Sequence, residues 1–458
     1  MKKHATLPRC RAVAAVLPLL ALCASPVSAR AQALTLDEAV RRGVAASPAM
    51  QEAQALARTA AAGRWEGWGR LLPSVALQAD VVQSGILQRT ASDPLTGGIV
   101  NLPDSLIAQR RSYGTSAVLT ARWEILNPAS LLQIRSAGAE AAAADGTYRS
   151  ARARVAAEVT VAFLNALEAQ ALLELRRAEK DRASELLRIA QGRFAVGGVP
   201  ELDVLQARLA EGDAALALME AETAGEAARL ALREHLGRDA VIPGALAEPV
   251  LPDAASLPGE EELRRRVADE SAELAALRST RAAAAAARGA ERMRLLPTVS
   301  LLAQWDRSEY GQTRDALTFQ PRNESGVYGI NFAWNLFEQP GSRLAARQRT
   351  GAAVQQADAR LAARRAALDR EVELAAGTLR RAVLLQERAA ANVLLAARQR
   401  EQAAERYRLG VAPIVERLQA EGLAREAERQ AVAARFAPLR ALAELQRASG
   451  APLLPFPF

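Results

Sequence analysis

The sequence predicts a mainly α-helical fold with a transmembrane β-barrel, built from one structural unit that occurs twice in the chain. The motif RFAVGGVPELDVLQA at 193–207 recurs in modified form as RYRLGVAPIVERLQA at 406–420, which indicates an internal duplication. Long proline-free segments rich in Ala, Leu, Arg and Glu predict helices, and shorter segments in which apolar and polar residues alternate predict strands. Each copy of the unit therefore contains helices, a β-hairpin and a long helical hairpin, in that order.

The first 33 residues have the composition of a secretory signal peptide. A basic start precedes an apolar run, and small residues then permit cleavage after Ala29 or Ala33. The apolar run is too short for a membrane-spanning helix. Both cysteines, Cys10 and Cys23, lie in this segment, so the mature chain is predicted to have no disulfide. Because the residue before Cys23 is too bulky for a lipoprotein signal, we expect cleavage without lipidation.

The charge pattern and the missing motifs exclude several classes of protein. The formal net charge is +8, but the basic residues are almost all Arg and alternate with Glu along predicted helices. Such mixtures are typical of solvated helix faces and not of nucleic-acid binding. After the signal peptide there is one histidine, His235, and no GxxxxGK, HExxH or CxxC motif. We therefore expect no enzymatic activity, cofactor, metal site or nucleic-acid partner.

The two copies can be aligned over most of the chain. LLPSVAL at 71–77 recurs as LLPTVSL at 295–301, and the first copy has additional residues between this motif and the tryptophan that follows. Loops absorb insertions, so that interval is predicted to hold a surface loop. The predicted divisions are a signal peptide at 1–33, a first repeat at 34–237, a linker at 238–258, a second repeat at 259–449 and a C-terminal tail at 450–458.

Each copy opens with two helices. Thr35 to Glu38 form a capping box, and Ser47-Pro48 ends one helix and begins the next. The second helix is expected to run to Leu72, just before Pro73, and its copy to stop at Pro297, since proline interrupts the hydrogen-bonding pattern of a helix.

After each of these prolines the apolar period changes from 3.6 to 2. Strands are predicted at about 74–83 and 113–126 in the first copy, and at about 298–306 and 327–337 in the second. About ten residues with one apolar face is the length of a transmembrane barrel strand. A soluble antiparallel sheet with one face on a core is the alternative. The segments between paired strands, 84–112 and 307–325, are predicted to be loops.

The chain then returns to helix in both copies. Helical hairpins are predicted at 129–237 and 341–449, with apolar residues at eleven-residue intervals in the long first arm. This period keeps an apolar seam almost parallel to the helix axis. An ordinary coiled-coil rod is the alternative interpretation.

The repeated motif lies where each helical hairpin turns. Glycine permits a helix to end with positive φ, and proline suits the start of the next helix. The turn is either a structural connection or a surface that docks another protein. The residues assigned to the two tips are Gly197, Val199, Pro200, Gly410, Val411 and Pro413.

The signal peptide, the duplicated helix–hairpin–helix order and the tip motif together resemble the TolC-type outer membrane efflux protein family, over essentially the whole mature chain. The resemblance implies a homotrimer with a shared twelve-stranded barrel in outer membrane lipid and an α-helical barrel in the periplasm. The strand count itself requires oligomerisation, because two β-hairpins cannot close a barrel and lipid does not tolerate open edges.

The family resemblance also implies a function. The expected role is the exit duct of a tripartite efflux pump, which carries small molecules outward from a periplasmic adaptor and an inner-membrane pump. The alternatives are the exit duct of a type I protein secretion system and, from a different class, a periplasmic coiled-coil scaffold or adaptor. The loops at 84–112 and 307–325 would then be extracellular.

A periplasmic gate is predicted beside the tips. Asp203 and Glu416 occupy equivalent positions after the two tip glycines, and threefold symmetry would place six carboxylates at the pore mouth. Glu416 matches the gate position of the family, whereas Gln419 stands where the family often has an acid. Tyr407 is expected to donate a hydrogen bond to Asp203 and hold the tips closed. Solvated acids in the first turn of a helix are the alternative.

Overall fold

The computed structural model describes residues 33–88, 90–92, 95, 97–101, 108–237, 240–242, 245–250, 259–311, 313–317, 323–335 and 340–450. The predicted signal peptide before Ala33, with both cysteines, lies outside these residues. So do part of the predicted linker and the tail beyond Gly450.

The two copies contain the same elements in the same order. The first comprises α1 (Leu36–Ala46), α2 (Pro48–Gly69), β1 (Ser74–Gln88), β2 (Thr90–Ser92), β3 (Ile99–Asn101), β4 (Ala108–Leu126), α3 (Pro128–Ala195) and α4 (Glu201–Leu236). The second comprises α5 (Glu260–Glu270), α6 (Ala272–Met293), β5 (Thr298–Gly311), a 3-10 helix (Arg314–Leu317), β6 (Asn323–Ala333), α7 (Pro340–Arg408) and α8 (Ile414–Ser449). The additional residues of the first copy form the small β2–β3 hairpin, which is largely exposed, as predicted for a loop insertion.

Side-chain caps begin two of the short helices, α1 at the predicted Thr35 and α6 at Ser271. Thr35 Oγ1 accepts a hydrogen bond from Glu38 N at 3.3 Å, and Ser271 Oγ accepts one from Leu274 N at 3.4 Å. The second helix of each copy ends earlier than predicted, at Gly69 and Met293. The three residues before each proline form a turn instead, closed in the first copy by Leu72 N donating to Gly69 O at 3.0 Å.

The four long strands form one antiparallel sheet in the order β1-β4-β5-β6. Ser74 pairs with Arg122, and the β1–β4 ladder continues without interruption to the pair Gln88–Ala108. The same sheet joins the two copies, because β4 pairs with almost the whole length of β5, from Gly311 to Val299. Strands β1 and β6 are the two edges of this sheet.

The strands extend further toward the loops than the alternation predicted. β1 continues to Gln88, β4 begins at Ala108, β5 continues to Gly311 and β6 begins at Asn323. Backbone pairing persists after the apolar alternation has ended, so the ladder and not the side-chain pattern sets these ends. At its other end β6 stops at Ala333, four residues short of the prediction, and 336–339 lie outside the described residues.

One face of the sheet is apolar, and no α-helix covers it in the part of the chain that the structure describes. The 3-10 helix lies only against its loop end, where Thr115 Oγ1 donates to Ala316 O at 3.0 Å. Tyr328 and Ile330 of β6 are 88% and 73% exposed, and Leu77 of β1 is 71% exposed. The opposite face is polar and carries Gln78, Asp80, Gln304, Asp306 and Asn331. A soluble sheet would place its apolar face on a core, so the soluble alternative is not supported.

In each copy, the indole N–H of a tryptophan donates a hydrogen bond to the turn that precedes the strands. Trp123 Nε1 donates to Leu71 O at 2.8 Å, and Trp334 Nε1 donates to Leu295 O at 3.0 Å. The two hydrogen bonds are equivalent in the repeat, because each joins the returning strand to the LLP motif.

The helices pack against one another below the sheet. α3 packs against α2, α4, α6 and α8, and α7 packs against α6 and α8. By length and composition α3 is apolar enough to cross a membrane, but 56% of its most apolar window is buried inside the chain. The largest core takes side chains from all eight described helices: Leu36, Met50, Phe163, Leu232, Val267, Leu274, Val372 and Leu442.

Candidate functional site: the helical tips

Both helical hairpins turn through a glycine with left-handed backbone geometry. Gly197 has φ 72° and Gly410 has φ 77°. Gly198 N donates to Arg193 O at 2.8 Å, and Val411 N donates to Arg406 O at 3.0 Å, so both tips close in the same way. This is the pattern of a helix that ends in a left-handed residue, a conformation that glycine adopts without steric cost.

The prolines of the motif fix the start of the returning helices. Pro200 and Pro413 are the residues immediately before α4 and α8, and both are extended, with ψ 157° and 158°. Their carbonyls accept the first hydrogen bonds of those helices, from Asp203 N at 3.1 Å and Glu416 N at 3.2 Å. The acids are thereby held in the first turn, where the helix dipole favours a negative charge.

Val199 and Val411 lie between the glycines and the prolines. Val199 is half-buried, whereas Val411 is exposed. The next two apolar positions of the second tip, Ala412 and Ile414, are buried. Of these two valines, Val411 is therefore the more available to a partner.

A small core sits just above the tips and joins the two helical hairpins. Tyr407 is 2% exposed and packs with apolar residues of α3, α4 and α8: Leu186, Ala190, Ala207 and Ile414. Because these residues come from both copies of the repeat, the tips of one chain cannot separate without uncovering Tyr407.

Tyr407 makes the hydrogen bond that was predicted from the sequence. Its Oη donates to Asp203 Oδ2 at 3.3 Å. Burial and the neighbouring Asp203 carboxylate raise the pKa of the Tyr407 phenol, so the phenol keeps the proton that it donates. The use of this contact as a gate stays a prediction.

Two arginines add contacts that sequence reasoning missed. Arg193 Nη1 donates to Tyr407 O at 2.7 Å, and its guanidinium lies 5.2 Å from the centroid of the Tyr407 ring. Arg417 lies 5.6 Å from the same centroid. Cations over an aromatic face are attracted by its quadrupole. Arg193 is the first residue of the repeated motif, and this position could have indicated that it contacts the tip. Nothing in the sequence singled out Arg417.

Glu416 is paired within the chain, and the ring of six acids stays a prediction. Arg406 Nη1 forms a salt bridge with Glu416 Oε1 at 2.7 Å, across the turn of the second tip. Gln419, one turn further along α8, is exposed. Within one chain, the negative charge of Glu416 at the mouth is therefore compensated.

A groove of about 760 Å³ runs between the ends of α3 and α7 beside these contacts. It is lined by apolar and charged side chains, including Ile189, Arg193, Glu405, Tyr407, Arg408 and Arg417. The described residues contain no group of His, Cys, Asp and Glu that could hold a metal ion.

The fold is that of solved outer membrane channels. The chain matches the outer-membrane channel OprN with a TM-score of 0.76 at 20% identity, covering 91% of this chain and 89% of that chain. It matches the Campylobacter jejuni CmeC outer membrane channel with a TM-score of 0.76 at 18% identity, covering 91% and 85%. The open state of the Neisseria gonorrhoeae MtrE outer membrane channel gives 0.72 at 17% identity, covering 92% and 90%. No protein of curated function matches the sequence at a significant level.

The class of protein to which this chain is similar is therefore the outer membrane efflux channel, in the fold of the whole chain and in the sequence of its first repeat. The model of the outer membrane efflux protein family matches residues 40–238, which comprise almost all of the first repeat. The predicted resemblance to the TolC-type outer membrane efflux protein family is thereby confirmed.

Proposed function

We propose that this protein is the exit duct of a tripartite efflux pump, which assembles as a homotrimer and carries small molecules from a periplasmic adaptor and an inner-membrane pump to the outside. The observation that carries the proposal is a sheet with two open edges and an uncovered apolar face, set on helical hairpins with two equivalent tips.

The sheet supports a shared barrel. β1 and β6 each have one unpaired edge, and four strands are too few to enclose a lumen. Since lipid does not tolerate unsatisfied backbone groups, the edges must pair with another copy. Three copies give twelve strands, with the apolar face toward lipid and the polar face toward the lumen. The loops around Thr313 and the β2–β3 hairpin would then be extracellular.

The tips support the pump assignment. Two turns of the same shape, related by the repeat, would give a trimer six similar docking positions at its periplasmic end. The groove between α3 and α7 lies beside them, and its lining combines apolar side chains with charged ones. An adaptor with helical hairpins of its own would pack against such a surface.

Fractionation and mass measurement test the proposal together. We expect heat-modifiable trimers in the outer membrane fraction, and a purified detergent complex with three times the mass of the mature chain. Cells that lack the protein should accumulate a fluorescent pump substrate, while their secreted proteins stay unchanged. A stable monomer, or release in osmotic shock fluid, would favour the scaffold; loss of a secreted protein without dye accumulation would favour type I secretion.

The salt bridge at Glu416 gives a prediction for ion selectivity. Glu416→Ala leaves Arg406 without its carboxylate, so the trimeric mouth becomes more positive and its preference for cations should fall. Gln419→Glu, which adds the acid that the family often has there, should shift selectivity the opposite way. Reversal potentials in planar bilayers under a salt gradient measure both changes. Equal reversal potentials for wild type and both variants would show that these positions do not line the mouth.

A further inference from the structure

The last turns of α2 and α6, just below the sheet, carry a set of exposed hydrogen-bond donors. Arg64 and Arg288 are equivalent in the two repeats, and the position of Trp68 in the first repeat is taken by Arg292 in the second. All four side chains are exposed, and Trp65 beside them is 72% exposed. These five residues are called the Arg-Trp face below.

The Arg-Trp face points away from a polar groove on the other side of the same helices. That groove has a volume of about 600 Å³, and its lining includes Glu66 of α2 and Ala290 of α6. Residues two positions apart on an α-helix differ in direction by about 200°. The arginines and Trp68 of the Arg-Trp face lie two positions before or after these groove residues, so they lie on the opposite side.

The donors of the Arg-Trp face have no partner within the described part of the chain. Neither the three guanidinium groups nor the two indole N–H groups form a hydrogen bond or an ion pair there. The other three tryptophans all donate within the chain, to Leu71 O, Glu324 Oε1 and Leu295 O: Trp123, Trp305 and Trp334. The Arg-Trp face therefore offers donors without acceptors of its own.

The acids of the same turns do not compensate these arginines. Glu66 pairs with Arg70 at 3.5 Å, and Glu291 pairs with Arg294 at 3.3 Å, each within its own helix. All four residues of these pairs line the groove. The positive charge of the Arg-Trp face is therefore not offset on its own side, whereas the groove side is balanced.

Exposed apolar residues connect the Arg-Trp face to the apolar face of the sheet. Leu72 and Leu296 lie between them along the chain and are 68% and 47% exposed. Pro73, the next residue, lines an apolar groove of about 410 Å³ with Ala121 and Leu301 of the sheet. Apolar, aromatic and basic side chains thus follow one another away from the sheet. The same order occurs at a membrane surface, where tryptophans lie at the interface and arginines meet the charged headgroups.

We propose that the Arg-Trp face binds the headgroups of anionic phospholipids in the periplasmic leaflet of the outer membrane. The phosphate diester of such a headgroup supplies the acceptor oxygens and the negative charge that this face lacks, and the guanidinium fork matches its geometry. The indole rings would lie at the interface, with their N–H groups toward the headgroups. This inference rests on the proposed membrane barrel and adds a lipid site on the helices below it.

Native mass spectrometry tests the site on the purified full chain, released from nanodiscs with equal amounts of phosphatidylglycerol and phosphatidylcholine. The wild type should retain phosphatidylglycerol in preference, and Arg64→Gln with Arg292→Gln should reduce this preference by about fivefold for each arginine. The matched control, Arg70→Gln with Arg294→Gln, removes one arginine from each helix on the groove side and should keep the preference. Equal preferences in the wild type and the first variant would overturn the proposal.

Fluorescence quenching locates the two tryptophans independently. The emission that is lost in Trp65→Phe with Trp68→Phe should be the part of the wild-type emission that phosphatidylcholine brominated near the headgroup quenches in vesicles. Quenching of that part by aqueous iodide alone would place these residues in water. Quenching by neither reagent would place them under a second copy of the chain. Each of the last two outcomes would overturn the proposal.

The same mass spectra separate this inference from the proposed function, because they report the number of chains as well as the lipid. Trimers without a preference for phosphatidylglycerol would remove the lipid site and leave the exit duct standing. Absence of trimers in the wild type would remove the exit duct itself.

Discussion

Gly410→Val should abolish export while the protein remains trimeric and at its normal level in the outer membrane. A β-branched residue is a genuine outlier at φ 77°, and holding it there costs on the order of 1–3 kcal/mol. The added Cβ would meet only the flexible Arg193 Nη2, at 3.6 Å, so the strain is in the backbone and not in a clash. The turn would reshape, and the surface proposed for the adaptor would be lost. Accumulation of a pump substrate in intact cells measures the loss.

Gly192→Val is the matched control for this experiment. Gly192 lies in the last turns of α3, without a positive φ, and an added side chain would meet nothing within 4 Å. Export should therefore stay near the wild-type level. Gly197→Val should behave like Gly410→Val, since its φ is 72°. If Gly410→Val removes the trimers together with export, the glycine serves folding alone and the docking role is wrong.

Arg193→Ala should make the channel leak, and more strongly than Tyr407→Phe. The tyrosine variant removes one hydrogen bond to Asp203, a contribution of about 1 kcal/mol per chain. The arginine variant removes the 2.7 Å hydrogen bond to Tyr407 O together with the cation–π contact, which adds about 0.5–2 kcal/mol. In the proposed trimer three chains would form the mouth, so these free-energy losses would add over the three chains. Open probability in planar bilayers and uptake of large antibiotics by cells measure the leak.

Arg188→Ala is the control for the contacts of Arg193 and Asp203 with Tyr407. Arg188 pairs with Glu185 of the same helix, so its loss breaks no contact between the helical hairpins. It should match the wild type in both measurements. If Arg193→Ala and Tyr407→Phe also match the wild type, the contacts at Tyr407 stabilise the fold of the tip without controlling the pore.

The sequence predicts those features that depend on local periodicity. The change from a 3.6 to a 2.0 period after Pro73 and Pro297 located both β-hairpins, and glycine followed by proline located both tips. The strand ends were missed because ladder hydrogen bonds continue where side chains no longer alternate. The early ends of α2 and α6 depend on the turn before each proline, which the apolar pattern does not report.

Some contacts at the tips could be predicted from spacing along the sequence, and others could not. The hydrogen bond between Tyr407 and Asp203 was predictable, because both residues have fixed offsets from their tip glycines. The salt bridge of Glu416 with Arg406 depends on the shape of the turn between them. The position of Arg417 over the Tyr407 ring depends on how α8 is rotated against α7, which spacing along one helix does not specify.

The two indole hydrogen bonds below the sheet fix the strands to the ends of the short helices. Trp123 and Trp334 bind backbone carbonyls of the chain itself, so these donors are satisfied whatever lipid surrounds them. Each hydrogen bond joins a returning strand to the turn that precedes the strand paired with it. A tilt of the helices at this level would therefore strain both repeats together. In the proposed trimer, bending would then fall at the far end of the long helices, some tens of ångströms away. Such a duct would keep a constant diameter at the membrane while its periplasmic mouth changes size.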